Sequence, residues 1–392
     1  MTDKLIDISL QLIKDSIWNT TPDPHTSFLS CGEEMYLFFL QHAIAAIPGK
    51  LIQDVQLPEK VKAEWTKHVF QQVYTYKTYE YIQELVLKKL NQNAIPVVVI
   101  KGTAASQYYP VPEFRAVGDI DLLVRPDDFF RAKDVLIGCG FDELYPNTPV
   151  DRHLNLVKDQ VHIELHRRFA SEYVIDDPRA FDEMLFSDIT LEHYKLQEPS
   201  NGLVLLEHIA QHLNAGIGLR QIIDWMLFVR SYLDDDTWES EFKSLVEKNG
   251  LKELAISLTH MCQIYLGLPE NSINWCNDAD ESLCHELMEY ILCCGNFGNS
   301  RNTFDSGVIT QIPSIRHPIQ LFRYVQKHGK DNWVTCQKYP VLKPFAWIYQ
   351  SLKYIGMSRE ENADGRKIRE MYKEAKKRKN MLMKLGIHAK YN

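Results

Sequence analysis

Gly118-Asp119-Ile120-Asp121-Leu122-Leu123-Val124 constrains this chain more than any other segment. The run reads as a buried strand, yet it carries two carboxylates two residues apart. Side chains alternate faces along a strand, so Asp119 and Asp121 point the same way. Like charges a few Å apart are costly unless a cation lies between them. Upstream, Pro96-Val97-Val98-Val99-Ile100 is an apolar strand that runs into Lys101-Gly102-Thr103. A strand, a glycine turn, a helix start and a paired-carboxylate strand together describe a site for a metal-bound nucleoside triphosphate.

The rest of the sequence sets the frame. The 392 residues allow two or three domains, and 45% hydrophobic with 24% charged residues is ordinary for a soluble protein. A formal charge of −8 argues against a general nucleic-acid binder. The eight cysteines form no CxxC pair, which fits a reducing, cytoplasmic setting. No stretch is apolar enough over the required length to span a bilayer, and no signal peptide is expected.

Residues 1–90 carry helical periodicity, as in Val61, Trp65, Val69 and Val73. From 91 to 198 the pattern changes to strands and short helices. Strands are expected at 96–101, 119–125 and 188–193, with a hairpin of 153–157 and 161–166. Helices are expected near 103–109, 126–138 and 177–186. From 199 to 392 the chain reads as all helix, including a pair at 202–214 and 218–232, a helix near 315–328, and a basic terminal helix. The expected fold is α+β: a mixed sheet with helices on one side, flanked by N-terminal and C-terminal helical regions.

Chemistry concentrates in the middle region. Two divalent cations serve nucleotidyl transfer by neutralising the triphosphate and activating the attacking hydroxyl, and carboxylates are their natural ligands. Asp119 and Asp121 supply one face. Glu164, inside the apolar run Ile163-Glu164-Leu165, is the candidate third acid, since a lone carboxylate facing a core is expensive. Gly102 lets the backbone approach a phosphate. Thr103 offers a hydroxyl to that phosphate or caps the helix, and Lys101 offers neutralising charge. Gly118 and Arg115 flank the acid strand, where Arg115 either reaches a triphosphate or is a solvated loop residue.

The segment from Val-Ile-Lys-Gly through Tyr109 to Val124 resembles a bacterial family of uncharacterised nucleotidyltransferases within the DNA polymerase β-like superfamily. A later acid-Leu-His motif is matched by Glu164-Leu165-His166, and paired histidines with an Arg-to-Asp stretch by His208, His212, Arg220 and Asp224. The resemblance covers roughly residues 92–232. It implies a minimal nucleotidyltransferase fold using Mg2+ or Mn2+ and a nucleoside triphosphate such as ATP. Asp119, Asp121 and Glu164 would be the metal ligands, with Glu164 also activating a hydroxyl on an unassigned small-molecule, sugar or protein acceptor. Gly-Thr replaces the usual second small residue of the turn, and the gap from Gly102 to Asp119 is longer than in the polymerases.

Other readings stay open. His162, Glu164 and His166 share a strand face, but ligands at such spacing close poorly around one ion, so zinc is not expected from them. His208 and His212 stand one helical turn apart, as do Arg220 and Asp224. These four either face the nucleotide or form an interhelical network with an Arg220–Asp224 ion pair. The alternative to an enzyme is a nucleotide-binding regulatory or antitoxin-like module without turnover, and the large helical surround leaves room for a protein partner.

Overall fold

The computed structural model describes residues 3–22, 28–146, 150–172, 174–213, 216–296, most of 322–361, and 368–387. Two compact units are distinguished: Met1–Ser300 with Leu385–Asn392, and Arg301–Lys384. The second contains helices Ala346–Glu361 and Ile368–Lys384. The helix expected over 315–328 lies in good part outside the described residues.

In the first unit, helices α1 (Asp3–Trp18), α2 (Gly32–Gln41) and α3 (Glu59–Gln92) precede the sheet. The sheet is built from β1 (Val97–Ile100), β2 (Ile120–Val124), β3 (Asp142–Glu143), β4 (His153–Lys158) and β5 (Val161–His166). Its strand order is β1-β2-β5-β4-β3, with β2 and β5 parallel and the other pairs antiparallel. Helix α4 (Gly102–Ser106) joins β1 to β2, and α5 (Phe129–Gly138) follows β2.

Alternation gives the sheet two unlike faces. Val97, Val99, Ile120, Leu122, Val124, Ile163 and Leu165 form an apolar core with Val86, Leu87 and Leu90 of α3 and Phe129, Ala132 and Leu136 of α5. The opposite face carries Asp121, Glu164 and His166. Register places Ile100, Asp121 and Glu164 in one row across β1, β2 and β5.

The strand expected at 188–193 does not form. Helix α6 (Pro178–Ser187) ends beside it, and one bridge, Val99 to Lys195, reaches the sheet edge. Side chains take up the carbonyls that a ladder would use. Arg125 Nη2 donates to Ile189 O at 3.0 Å, and Asn91 Nδ2 to Leu191 O at 2.8 Å. Ile189 is buried but residues 191–193 are exposed, so the segment has no alternating buried face to reward pairing.

Helices α7 (Ser200–His212) and α8 (Leu219–Tyr232) form the expected pair. The helix expected over 236–249 is interrupted by a π-turn at Trp238–Phe242, where Trp238 stacks on Trp275 at 3.9 Å. Helices Lys252–Leu266 and Glu281–Cys294 complete the surround. Among the described residues, no helix is long and apolar enough to cross a membrane.

Close packing of α7 on α8 turns on Gly202. A Cβ there would lie 2.1 Å from Phe228 Cζ. Phe228 is fully buried and ringed by Trp225, Phe242 and Tyr108, so it has no room to yield. Alanine gains up to about 1 kcal/mol in helix propensity, whereas overpacking costs about 1–3 kcal/mol. Gly202→Ala is therefore expected to lower stability in a urea titration, despite replacing a poor helix former with the best one.

Candidate active site

Asp121 is the centre of the site. It is 2% exposed, and its Oδ1 receives Lys101 Nζ at 2.6 Å and meets His166 Nε2 at 3.0 Å. Lys101 enters from the end of β1 with φ +53, a conformation uncommon for a side-chain-bearing residue, and Gly102 follows at φ +31. This turn places the Lys101 ammonium between the carboxylates, 4.0 Å from Glu164 Oε2 and over the Phe169 ring. His166 Nε2 is 3.3 Å from Glu164 Oε2.

The charges hold one another in place. Burial alone would raise Asp121, but Lys101 and His166 outweigh it and keep the carboxyl well below its ordinary range. Burial would likewise lower Lys101 and His166; the surrounding carboxylates raise both instead. Glu164 is lowered, its burial being overcome chiefly by the hydrogen bond from His166. Asp119 differs. Half-buried just ahead of β2, its carboxylate has no hydrogen-bonding partner among the described residues. Burial and the Asp121 charge push it up to about 6.

Ligand oxygens of Asp119, Asp121 and Glu164 all lie within 4.8 Å of one another. The donor set is three carboxylates, one without a protein partner, and it suits a hard divalent cation. A second group, His153, Glu164 and His166, is equally close-knit. Spacing along the sequence does not single out His153. It sits on β4 directly across from His166, and the hairpin pairing is the signal that locates it. His162, by contrast, is exposed and pairs with Val157, so it is not in this group.

The β1–β2 connection is suspended from α3. Gln72 Nε2 donates to Arg115 O at 3.3 Å, and Tyr79 Oη to Gly118 O at 2.9 Å. Tyr76 Oη pairs with Ser106 Oγ at 2.7 Å, and Thr103 Oγ1 donates to Gln83 Oε1 at 2.6 Å. Thr103 thus neither caps its helix nor presents its hydroxyl to the site, because α3 already uses it. Gly102 packs near Asp119 O, 3.6 Å from its Cβ direction. Gly118 is exposed, with open space around it.

Arg115 is 4% exposed, and its guanidinium is bidentate to Asp224, Nε at 3.1 Å and Nη2 at 2.8 Å. Tyr109 Oη donates to the same carboxylate at 2.7 Å. The expectation that Arg115 reaches a triphosphate, or lies in solvent, gives way to a buried clamp from the loop onto α8. Asp224 meets Arg115 and Tyr109 in that clamp, while Arg220 donates Nη1 to Ala116 O at 3.2 Å. On α7, the His208 and His212 rings lie 4.5 Å apart. Burial and the nearby Lys101 charge push His208 well below its ordinary value and His212 down to about 4, so both are neutral at pH 7.

The mixed sheet thus gathers three acids onto one face, Glu164 from β5, Asp121 from β2 and Asp119 from the residue just ahead of β2. A family model described as uncharacterised nucleotidyltransferase matches residues 40–267, more than half of the chain, and the chain belongs to that family. The matched span includes α3 and the α7–α8 pair as well as the sheet. No curated protein and no solved structure matches the chain. Membership supports transferase activity.

Arg115→Ala leaves the Asp224 carboxylate buried without its guanidinium and should cost about 3–5 kcal/mol in chemical denaturation; Gly118→Ala, into open space, should change stability by no more than about 0.5 kcal/mol. Asp119 binds its proton more tightly folded than unfolded. Its contribution to stability is therefore fully present below about pH 4 and is lost as pH rises through about 6. In the cation-free protein, Asp119→Asn should raise stability at pH 7 by at most about 2 kcal/mol and flatten the profile from pH 4 to 7.

Proposed function

We propose that this chain transfers a nucleoside monophosphate from a nucleoside triphosphate, with ATP as the first candidate, to a hydroxyl acceptor, releasing pyrophosphate. The observation that carries this reading is the convergence of Asp119, Asp121 and Glu164 on one sheet face. Asp119, Asp121 and Glu164 would hold Mg2+ or Mn2+, which when bound neutralises phosphate charge and makes a coordinated hydroxyl more acidic.

The chain's own groups supply the remainder. Lys101 adds a fixed cation beside the phosphates, and Arg220 adds charge from α8. Glu164 takes the proton of the acceptor hydroxyl as its oxygen bonds to the α-phosphorus and the bond to pyrophosphate breaks. His166 orients Glu164 and Asp121 by its hydrogen bonds to both. Neutral His208 and His212 offer uncharged hydrogen-bonding groups to the base or the acceptor. The Arg115–Asp224 clamp positions α8 over the site without touching substrate. A small molecule, a sugar or a protein each remains open as acceptor, and a protein partner fits the helical surround. Eight free thiols support a reducing, cytoplasmic setting.

The test is an acceptor screen with α-labelled triphosphates, following label transfer and pyrophosphate with and without Mg2+ or Mn2+. Asp119→Asn, Asp121→Asn and Glu164→Gln should each reduce turnover at least about 100-fold, beyond the usual loss from removing an outer hydrogen-bonding partner of a metal ligand. Full turnover in these folded variants would sink the assignment. Metal-dependent ATP binding without turnover in any screen would instead favour a regulatory nucleotide-binding module.

A further inference from the structure

We infer that the site has a second, chemically distinct pole: His153, Glu164 and His166 bind a borderline 3d cation of the Zn2+ or Co2+ type, separately from the all-carboxylate pole at Asp119 and Asp121. The inference goes beyond the proposed transfer reaction, since cation binding here requires neither triphosphate nor turnover.

The ligand atoms are already close to a coordinating arrangement. His166 Nε2 lies 3.3 Å from Glu164 Oε2, and His153 Nε2 lies 3.9 Å from Glu164 Oε1. Ligands about 2.0–2.1 Å from a tetrahedral ion stand roughly 3.3 Å from one another, so small side-chain rotations suffice. The two imidazole rings are 5.0 Å apart, and all three ligand atoms lie within 4.8 Å. Three ligands along a single strand close poorly around an ion. Here the hairpin removes that difficulty, because His153 comes from β4 opposite His166 on β5.

Donor chemistry separates the poles. Two imidazoles and one carboxylate with an open fourth position form a familiar set for zinc-type ions, whereas Mg2+ prefers oxygen alone. His153 is 37% exposed, so a cation from solvent can reach the cluster. The same groups have other contacts. Lys101 approaches Glu164 Oε2 at 4.0 Å, and His166 Nε2 meets Asp121 Oδ1 at 3.0 Å. Binding by His166 would therefore exchange that Asp121 contact for the cation, leaving Lys101 as the fixed positive partner of Asp121. Glu164, with one oxygen toward each histidine, is the residue shared between the poles.

The experiment titrates Co2+ into metal-stripped full-length protein without nucleotide, in the presence of excess Mg2+. Visible absorption and calorimetry read occupancy, and electron–nuclear double resonance reads imidazole nitrogen coupling. The wild type should take up Co2+ with nitrogen coupling. His153→Gln, at a part-exposed position where folding is little at risk, should weaken Co2+ at least about tenfold and remove one nitrogen coupling. Asp119→Asn should leave both readouts in place while abolishing nucleotidyl transfer, which separates this inference from the proposed reaction. Absence of nitrogen coupling in the wild type, unchanged Co2+ affinity in His153→Gln, or loss of the cobalt signal in Asp119→Asn would each overturn it.

Discussion

The structure depends on keeping one carboxylate charged inside a sheet. Asp121 is almost wholly buried on a strand whose neighbouring residues are all apolar. An isolated buried carboxylate would take up a proton. It stays ionised because Lys101 arrives from β1 and His166 from β5. The requirement fixes strand register. A one-residue slip of β5 would send Glu164 and His166 to the face occupied by Leu122 and Ile163, putting ions in the oil and breaking the His166 contact to Asp121. Fold and candidate chemistry thus share one constraint.

Around that centre, two supports of different character position the site. Helix α3 offers apolar residues to the sheet core and, along an adjoining stripe, Gln72, Tyr76, Tyr79 and Gln83 to the loop between β1 and β2. These bonds hold the segment that follows the glycine turn, from Thr103 to Gly118. Helix α8 grips the same loop through the Arg115–Asp224–Tyr109 cluster. Removing one partner of such a buried pair costs far more than the pair itself contributes, so the clamp serves as a specificity device for loop position rather than a large net source of stability. The family match over residues 40–267 spans both supports, which is consistent with the sheet, α3 and the α7–α8 pair working as one unit.

The electrostatics also divides labour among the acids. Asp121 and Glu164 are held ionised by protein cations, whereas Asp119 has none in hydrogen-bonding contact among the described residues and its carboxyl rises to about 6. A carboxylate so placed gains most from an external cation. The histidines divide in a parallel way. Its acidic neighbours raise His166 above its ordinary value, while His208 and His212 are kept neutral by burial beside Lys101.

Local spacing in the sequence determined a good deal. Two-residue alternation placed Asp119 and Asp121 on one face, apolar runs marked the strands, and helical periodicity marked α3, α7 and α8. Those signals act between neighbours along the chain, so they survive without knowledge of the fold. Tertiary structure decided who meets whom across long separations. It put Arg115 on Asp224, turned Thr103 toward Gln83, withheld a strand from 188–193 and brought His153 across a hairpin to His166. Each outcome is a competition among several partners for one polar group, settled by burial and distance in the folded chain. Side-chain spacing along the sequence carries no record of that competition, which is why the acids were legible there and their partners were not.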